Sequence, residues 1–341
     1  MLPIDAFPDV TNVQVMVLSD APGLASVDVE QRVTFPVEKS LQGLPKVRQV
    51  RSMSKAGFSQ VIVVFEDDVD TYFARQLVFE RLQAAKEQLP EGVEPEMGPI
   101  STGLGEIYQY TLESDSRTPM ELRTIQDWLV SPQLRSIAGV NEVNSFGGFV
   151  KQYHVLVDPA RLLKYKLTLD EVLEGLERSN ANSGGSFLTK GWEQSYVRGV
   201  GLFETASDIG DVVLHAKDGT PVYLKDVAEV KIGPQTRQGA VSQDGKGETV
   251  AGMVIMLRGA NSKIVVDSVK KAIPAVQASL PKDVTIKPFY DRTSLIQACI
   301  KTVSDALMQG GLFVVLVLFM FLGNFRGAVI VALALPFTAF I

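Results

Sequence analysis

The sequence predicts an α+β protein of two ferredoxin-like β-α-β-β-α-β units, the second interrupted by an inserted domain, with transmembrane α-helices after them. Three observations predict this: a repeat in the spacing of apolar residues, a jump in the offset of that repeat, and a run of eleven apolar residues from Leu312 to Leu322.

The repeat comes first. Leu41, Leu44, Val47, Val50 and Ser52 match Leu134, Ile137, Val140, Val143 and Ser145 at a constant offset of 93. Further on, Val78, Leu82, Ala85, Leu89 and Val93 match Val269, Ile273, Val276, Leu280 and Val284 at an offset of 191. The offset thus grows by 98, the length of something placed inside the second copy.

Each copy reads as strand, helix, two strands, helix, strand. In the first, alternation and β-branching make Val13 to Leu18 a strand. Ser26 to Leu41 reads as a helix with Ser26 as its N-cap. Val47 to Ser52 and Gln60 to Phe65 pair around Lys55-Ala56-Gly57, and Thr71 to Gln88 is a helix closed by Pro90 and Gly92. A final strand lies near Val93 to Met97. Two helices on one face of such a sheet are the split βαβ plan. The second copy starts at Ile107, has a helix from Pro119 to Ile137 and a strand near Val140 to Ser145, and resumes with Val250 to Leu257, Ser262 to Leu280 and Val284 to Tyr290. Between them runs the insertion, with a strand at Tyr153 to Val157, a helix at Thr168 to Ser179, a Gly/Ser-rich stretch at Asn182 to Ser186, and a hairpin turn at Asp218-Gly219.

The eleven-residue apolar run extends back to Ala306 as a 17-residue stretch broken only by Gln309 and two glycines. A membrane-spanning helix needs about 17 to 25 residues. After a turn at Asn324-Phe325-Arg326-Gly327 the sequence is apolar again from Ala328 to Ile341. These 14 residues rise about 21 Å as a helix, short of a hydrocarbon core about 30 Å thick, so a second span is expected to continue further. Arg326 puts the turn on the cytoplasmic side by the positive-inside tendency. Residues 1–20 have no basic and apolar signal-peptide pattern, so a membrane helix upstream is expected as well.

Composition narrows the function. A formal net charge of −6 gives no basic footprint for nucleic acid. With one cysteine, Cys299, and two histidines, His154 and His215, far apart in sequence, zinc-finger and zinc-enzyme spacings are missing. Gly245-Lys246-Gly247 lacks the spacing of a phosphate loop.

Several words in the sequence carry a family resemblance. They are Pro3-Ile4-Asp5-Ala6-Phe7-Pro8-Asp9, Gly57-Phe58-Ser59-Gln60-Val61 and Tyr72-Phe73-Ala74-Arg75-Gln76. A long one runs Met97-Gly98-Pro99-Ile100-Ser101-Thr102-Gly103-Leu104-Gly105-Glu106-Ile107-Tyr108. Then come Gln126-Asp127-Trp128, Gly148-Phe149-Val150-Lys151-Gln152-Tyr153, Tyr290-Asp291-Arg292 and Asn324-Phe325-Arg326. Together they resemble the resistance-nodulation-division exporters, above all the heavy-metal branch of cobalt-zinc-cadmium (CzcA) type and less closely the copper-silver (CusA) type.

The resemblance implies two porter subdomains, at 9–98 and at 99–150 plus 246–295, and a docking domain at 151–245. It implies a transmembrane helix at 305–323 and the start of another at 328–341. It further implies a proton-driven, multi-pass permease of the bacterial inner membrane with residues up to about 300 in the periplasm. The permease would be a homotrimer that works with a periplasmic adaptor protein and an outer-membrane channel. No catalytic residue or resident cofactor is implied, only a transported cation such as zinc, cobalt or cadmium. The family's proton-relay acids lie on a fourth membrane helix, outside this chain.

Glu106 is the candidate metal ligand. It follows Gly103-Leu104-Gly105, where the backbone bends freely, and enters the second copy near the expected cleft. Copper-type members tend to carry an aromatic residue there, and an oxygen ligand suits a harder ion than copper(I). The run Glu66-Asp67-Asp68-Val69-Asp70 has acids enough for a hard cation, but it precedes a helix, whose dipole it suits better. Among the methionines, Met253 and Met256 lie three apart in a strand and face opposite sides, while Met16, Met53 and Met97 read as packing.

Three other functions stay open at this point. An enzyme on the same fold needs a nucleophile, base or anion site that the sequence does not display. A membrane-tethered periplasmic module would be a stable monomer in detergent. An exporter of organic compounds would confer no metal tolerance.

Overall fold

The computed structural model describes residues 11–101, 103–217, 219–237 and 239–322. The word Pro3–Asp9 and the apolar segment at 328–341 lie outside them.

The first copy opens with β1 (Gln14–Asp20), in which Val15, Val17 and Ser19 are buried in alternation. A helix follows in three pieces: α1 (Ser26–Val29), a π turn (Glu30–Thr34) and α2 (Phe35–Leu41). It buries Val29, Val33, Val37 and Leu41, one residue per turn. β2 (Val47–Lys55) and β3 (Phe58–Phe65) are antiparallel, joined by a tight turn with Gly57 at φ +73°. α3 (Thr71–Lys86) presents Ala74, Val78, Leu82 and Ala85 to the core, and β4 (Pro95–Met97) closes the sheet against β1. Strand order is β2-β3-β1-β4. The core beneath it is built from Val15, Val17, Leu41, Val63, Phe65, Val78 and their neighbours.

The second copy begins with β5 (Glu106–Glu113), α4 (Pro119–Ile125), another π turn (Gln126–Val130), α5 (Ser131–Arg135) and β6 (Val140–Phe146). Thr118 starts the helix with a capping box to Glu121. The insertion then holds β7 (Lys151–Val157), α6 (Pro159–Tyr165), α7 (Leu169–Ser179), β8 (Ser183–Lys190) and β9 (Glu193–Gly199). It continues with α8 (Ala206–Gly210), β10 (Val213–Lys217), β11 (Thr220–Tyr223), α9 (Leu224–Val227) and β12 (Ala228–Pro234). The second copy resumes as β13 (Val250–Met256), α10 (Ser262–Ser279) and β14 (Thr285–Asp291). Its sheet order is β14-β5-β13-β6. Numbered within its own copy, each sheet runs fourth, first, third, second, so the two copies share one topology.

The described residues divide into two compact units. One holds those up to 113, with 127–145 and from 251 onward; the other holds 114–126 and 146–250. The second unit is larger than the insertion predicted at 151–245, because α4 and the segments on either side of the insertion join it. Its core is small: Leu167, Val172, Ile209, Val212, Leu224 and Val227, with Leu162 and Leu176 against them. β7 and β12 pair along their whole length, and β10 and β11 pair across the predicted turn.

Two details differ from the sequence reading and one adds to it. The Gly/Ser-rich stretch, to which the sequence reading gave no element, is the beginning of β8. Gly185 fits because a Cβ there would stand 2.4 Å from the Val197 carbonyl oxygen of β9. Met53 is not packed but exposed on β2. The apolar helix, predicted at 305–323, is α11 (Arg292–Leu322), starting directly after β14 with no linker. Its 31 residues rise about 46 Å. The polar residues Ser294, Gln297, Lys301 and Asp305 hide its first turns from a search for apolar runs. Residues 292–317, which hold an 18-residue window of mean hydropathy 1.4, are long and apolar enough to cross a membrane.

Candidate functional site

Glu106 is the first residue of β5 and is half-buried. The Gly103–Gly105 turn before it is a single turn of 3₁₀ helix. Gly105 is buried against β13: a Cβ would lie 3.1 Å from Ile255 Cγ2 and 3.2 Å from the Met256 carbonyl oxygen. The glycine lets the turn lie flat on the sheet and sends the chain into β5 at a fixed point. Gln109, on the same strand, donates its Nε2 to Glu106 Oε2 at 3.3 Å. Next to it, Ile107, Tyr108 and Tyr110 are buried, the two tyrosine rings 6.3 Å apart and tilted.

β14 lies beside β5, with Asp291 opposite Tyr108 and Tyr290 opposite Gln109. Asp291 caps α11: its Oδ1 accepts the Thr293 N–H at 2.8 Å. Burial alone would raise the Asp291 carboxyl, but the Lys270 ammonium at 2.7 Å and the Thr293 N–H hold it below the usual carboxylate range. Burial pushes the Tyr108 phenol up, and the charge of Asp291 adds to that. The next residue, Arg292, is buried and donates Nη1 to the Leu104 carbonyl oxygen. Tyr290-Asp291-Arg292 and Gly103-Leu104-Gly105-Glu106, two words 188 residues apart, therefore meet around one turn.

Other arginines hold backbone carbonyls at the two ends of the first copy. Arg75 donates to the Gly98 carbonyl at 2.6 Å, and Arg258 donates to the carbonyls of Thr11 and Asn12 at 2.5 and 3.2 Å. The Gly98 N–H donates to the Met16 carbonyl at 2.7 Å, and the Arg258 N–H to that of Ile100 at 3.4 Å. In the stretch between the copies, the Gly98 and Leu104 carbonyls are each caught by a guanidinium group.

The acidic run serves structure. The Asp70 carboxylate accepts the N–H groups of Tyr72 and Phe73, both at 2.9 Å, and Asp68 pairs with Lys46. The word Gly57–Val61 is likewise absorbed by packing. Ser59 is buried and shares a hydrogen bond of 2.7 Å with Thr34, and Gln60 donates to Met16 Sδ. His154 on β7 covers Gly233, where a Cβ would come within 2.6 Å of its ring, and His215 is exposed on β10. Both belong to the insertion. Among the described residues no three of His, Cys, Asp and Glu gather as a metal cluster. Glu106 therefore stands outside any such cluster of described residues, with the Gln109 amide beside it. Sequence reasoning singled out Glu106 by its glycines; it missed Arg292 as the partner of the turn before it, because nothing in the spacing links positions so far apart.

The profile of the AcrB/AcrD/AcrF family matches residues 1–341. The chain belongs to that family. Over 98% of its length it is 46% identical to the protein HelA of Legionella pneumophila, and 46% identical to the cobalt-zinc-cadmium resistance protein CzcA of Cupriavidus metallidurans. It is similar in structure to a heavy metal efflux pump solved by X-ray crystallography, with a TM-score of 0.91 and 38% identity over 98% of the chain. It spans about a third of each: 32% of the two relatives and 34% of the solved pump chain. The resemblance to heavy-metal exporters of this family, drawn from the motif words, is borne out.

Proposed function

We propose that this chain is the first porter half of an inner-membrane permease that exports divalent heavy-metal cations, of the zinc, cobalt and cadmium class, in exchange for protons. The observation that carries this reading is the 46% identity to a cobalt-zinc-cadmium resistance protein, sustained over 98% of the chain. In this reading the two β-α-β-β-α-β copies are porter subdomains at 9–98 and at 99–150 plus 246–295, and the insertion at 151–245 is the docking domain. The helix α11 is the first of several membrane spans, with residues before about 300 in the periplasm. Glu106 offers cargo an oxygen ligand where a hard or borderline cation would be preferred to copper(I).

Expression of the full-length protein in a metal-sensitive host tests this. Tolerance to zinc, cobalt or cadmium should rise and should collapse with a protonophore. Tolerance to organic dyes alone, without metals, would overturn the metal reading. In the same host Glu106→Ala should cut zinc tolerance and weaken zinc binding by the purified protein about 10-fold or more. Unchanged binding would remove Glu106 from the cargo path.

The insertion also supports an assembly. The hairpin β8–β9 is exposed along both strands, with Leu188, Trp192 and Tyr196 in the open. So much apolar surface on a two-stranded arm calls for a partner, and in this reading the partner is a neighbouring subunit of a homotrimer that engages an adaptor and an outer-membrane channel. The substitution Trp192→Ala should shift purified protein from trimer to monomer on dilution; a trimer of unaltered stability would refute the arm's role.

A further inference from the structure

We propose that Arg292 is a positioning residue that joins the apolar helix to the cargo carboxylate, by holding the Gly103–Gly105 turn from which Glu106 emerges. The proposal rests on reading Glu106 as a cargo ligand. Four observations meet here. α11 follows β14 without a linker, so its first residue moves with the sheet and with the helix alike. The root of the helix is fixed: Arg292, Thr293 and Ile296 are each at most 3% exposed, and Asp291 caps it while pairing with Lys270 of α10. The Arg292 guanidinium reaches sideways to the Leu104 carbonyl, the middle of the turn. The Gly103 end of the turn has little stiffness of its own, since a Cβ there would meet nothing within 4 Å, whereas Gly105 packs on β13.

A guanidinium carries a planar fork of donors. Tying it to one carbonyl makes the turn follow the helix root. A tilt of α11 at Arg292 therefore moves the turn, and with it the direction in which the Glu106 carboxylate leaves β5. A loose turn would leave the carboxylate in many orientations, each binding cargo weakly. Arg292 touches no cargo; it acts through the turn.

The test uses the full-length permease in detergent, with Arg292→Gln and Arg292→Lys. Amide hydrogen exchange over residues 103–107 reads the joint directly. Arg292→Gln should speed it at least tenfold, with β1 and β3 unaffected, and Arg292→Lys, which keeps the charge but not the planar fork, should fall between. Zinc titration then reads the consequence: Arg292→Gln should weaken binding about 10- to 100-fold, as loss of an outer partner of a ligand does. It should add nothing further in a protein already carrying Glu106→Gln. Should Arg292→Gln not assemble, Arg292→Lys decides by the same two readings. Exchange at 103–107 equal to that of the unmodified protein overturns the joint. Faster exchange with zinc binding indifferent to Glu106→Gln retains the joint but overturns Glu106 as its load. Additive losses of affinity would make Arg292 a merely structural residue.

Discussion

Alanine at Gly147 loosens the base of the insertion by about 3 kcal/mol, roughly a hundredfold in its opening equilibrium. Gly147 and Gly148 both have positive φ, +71° and +66°, where the chain passes from β6 toward β7. Here it runs against the segment returning from the insertion. A Cβ on Gly147 would stand 2.2 Å from the Thr249 carbonyl oxygen, which is backbone and cannot swing aside. The Gly147 carbonyl also accepts from Arg123 Nη1 at 2.9 Å, so the peptide is held from both sides. Two costs add: a left-handed conformation for a residue with a Cβ, about 1–2 kcal/mol, and a clash of about 1–3 kcal/mol. Gly191 separates them. It sits at φ +65° in the turn of the β8–β9 hairpin, with nothing within 4 Å of a Cβ, so Gly191→Ala shows the conformational cost alone. Hydrogen exchange of β7 and β12 in the full-length protein measures the first, and exchange within the hairpin the second. Equal effects of the two substitutions would mean that the crowding at Thr249 is relieved at no cost.

The largest loss of packing is expected at Phe65. Its side chain is fully buried at the end of β3, within the core shared by Leu41, Val63 and Val78, and its N–H donates to the Val13 carbonyl at 2.8 Å. Removing a buried phenyl ring costs about 3–5 kcal/mol, the transfer term plus the cavity left behind. Phe79 is the control. It lies on α3 but is 50% exposed, so Phe79→Ala should change local stability by no more than about 0.5 kcal/mol. Exchange rates of β1 and β3 amides read both. A Phe65→Ala protein with rates like those of Phe79→Ala would show that the first copy does not depend on its own core.

The topology was legible because it is written in spacing. A helix that buries one face must repeat its apolar residues every three or four positions, and Val78, Leu82 and Ala85 do so in register with Val269, Ile273 and Val276. The jump in offset then located the insertion without any structure. What stayed hidden is what costs a sequence nothing. The π turns at Glu30–Thr34 and Gln126–Val130 occupy the same helix of both copies, yet one wider turn barely disturbs an apolar stripe. β8 was masked by glycines whose reason is the close approach of β9. The start of α11 was masked by polar side chains that its length can accommodate. At the site, the glycines before Glu106 advertised a bend. The guanidinium that grips that bend comes from the other end of the copy, and only folding brings the two together.

The place of the insertion has a consequence for engineering. In the first copy, β2 and β3 are joined by an exposed turn at Lys55 and Ala56. In the second, the same two strands of the plan, β6 and β13, are separated by the insertion and still lie side by side in their sheet. One copy thus records that this joint carries a passenger of some hundred residues without losing its strand pairing. The equivalent position in the other copy, after Ala56, is where a fluorescent or affinity module can be spliced into the protein with the sheet intact.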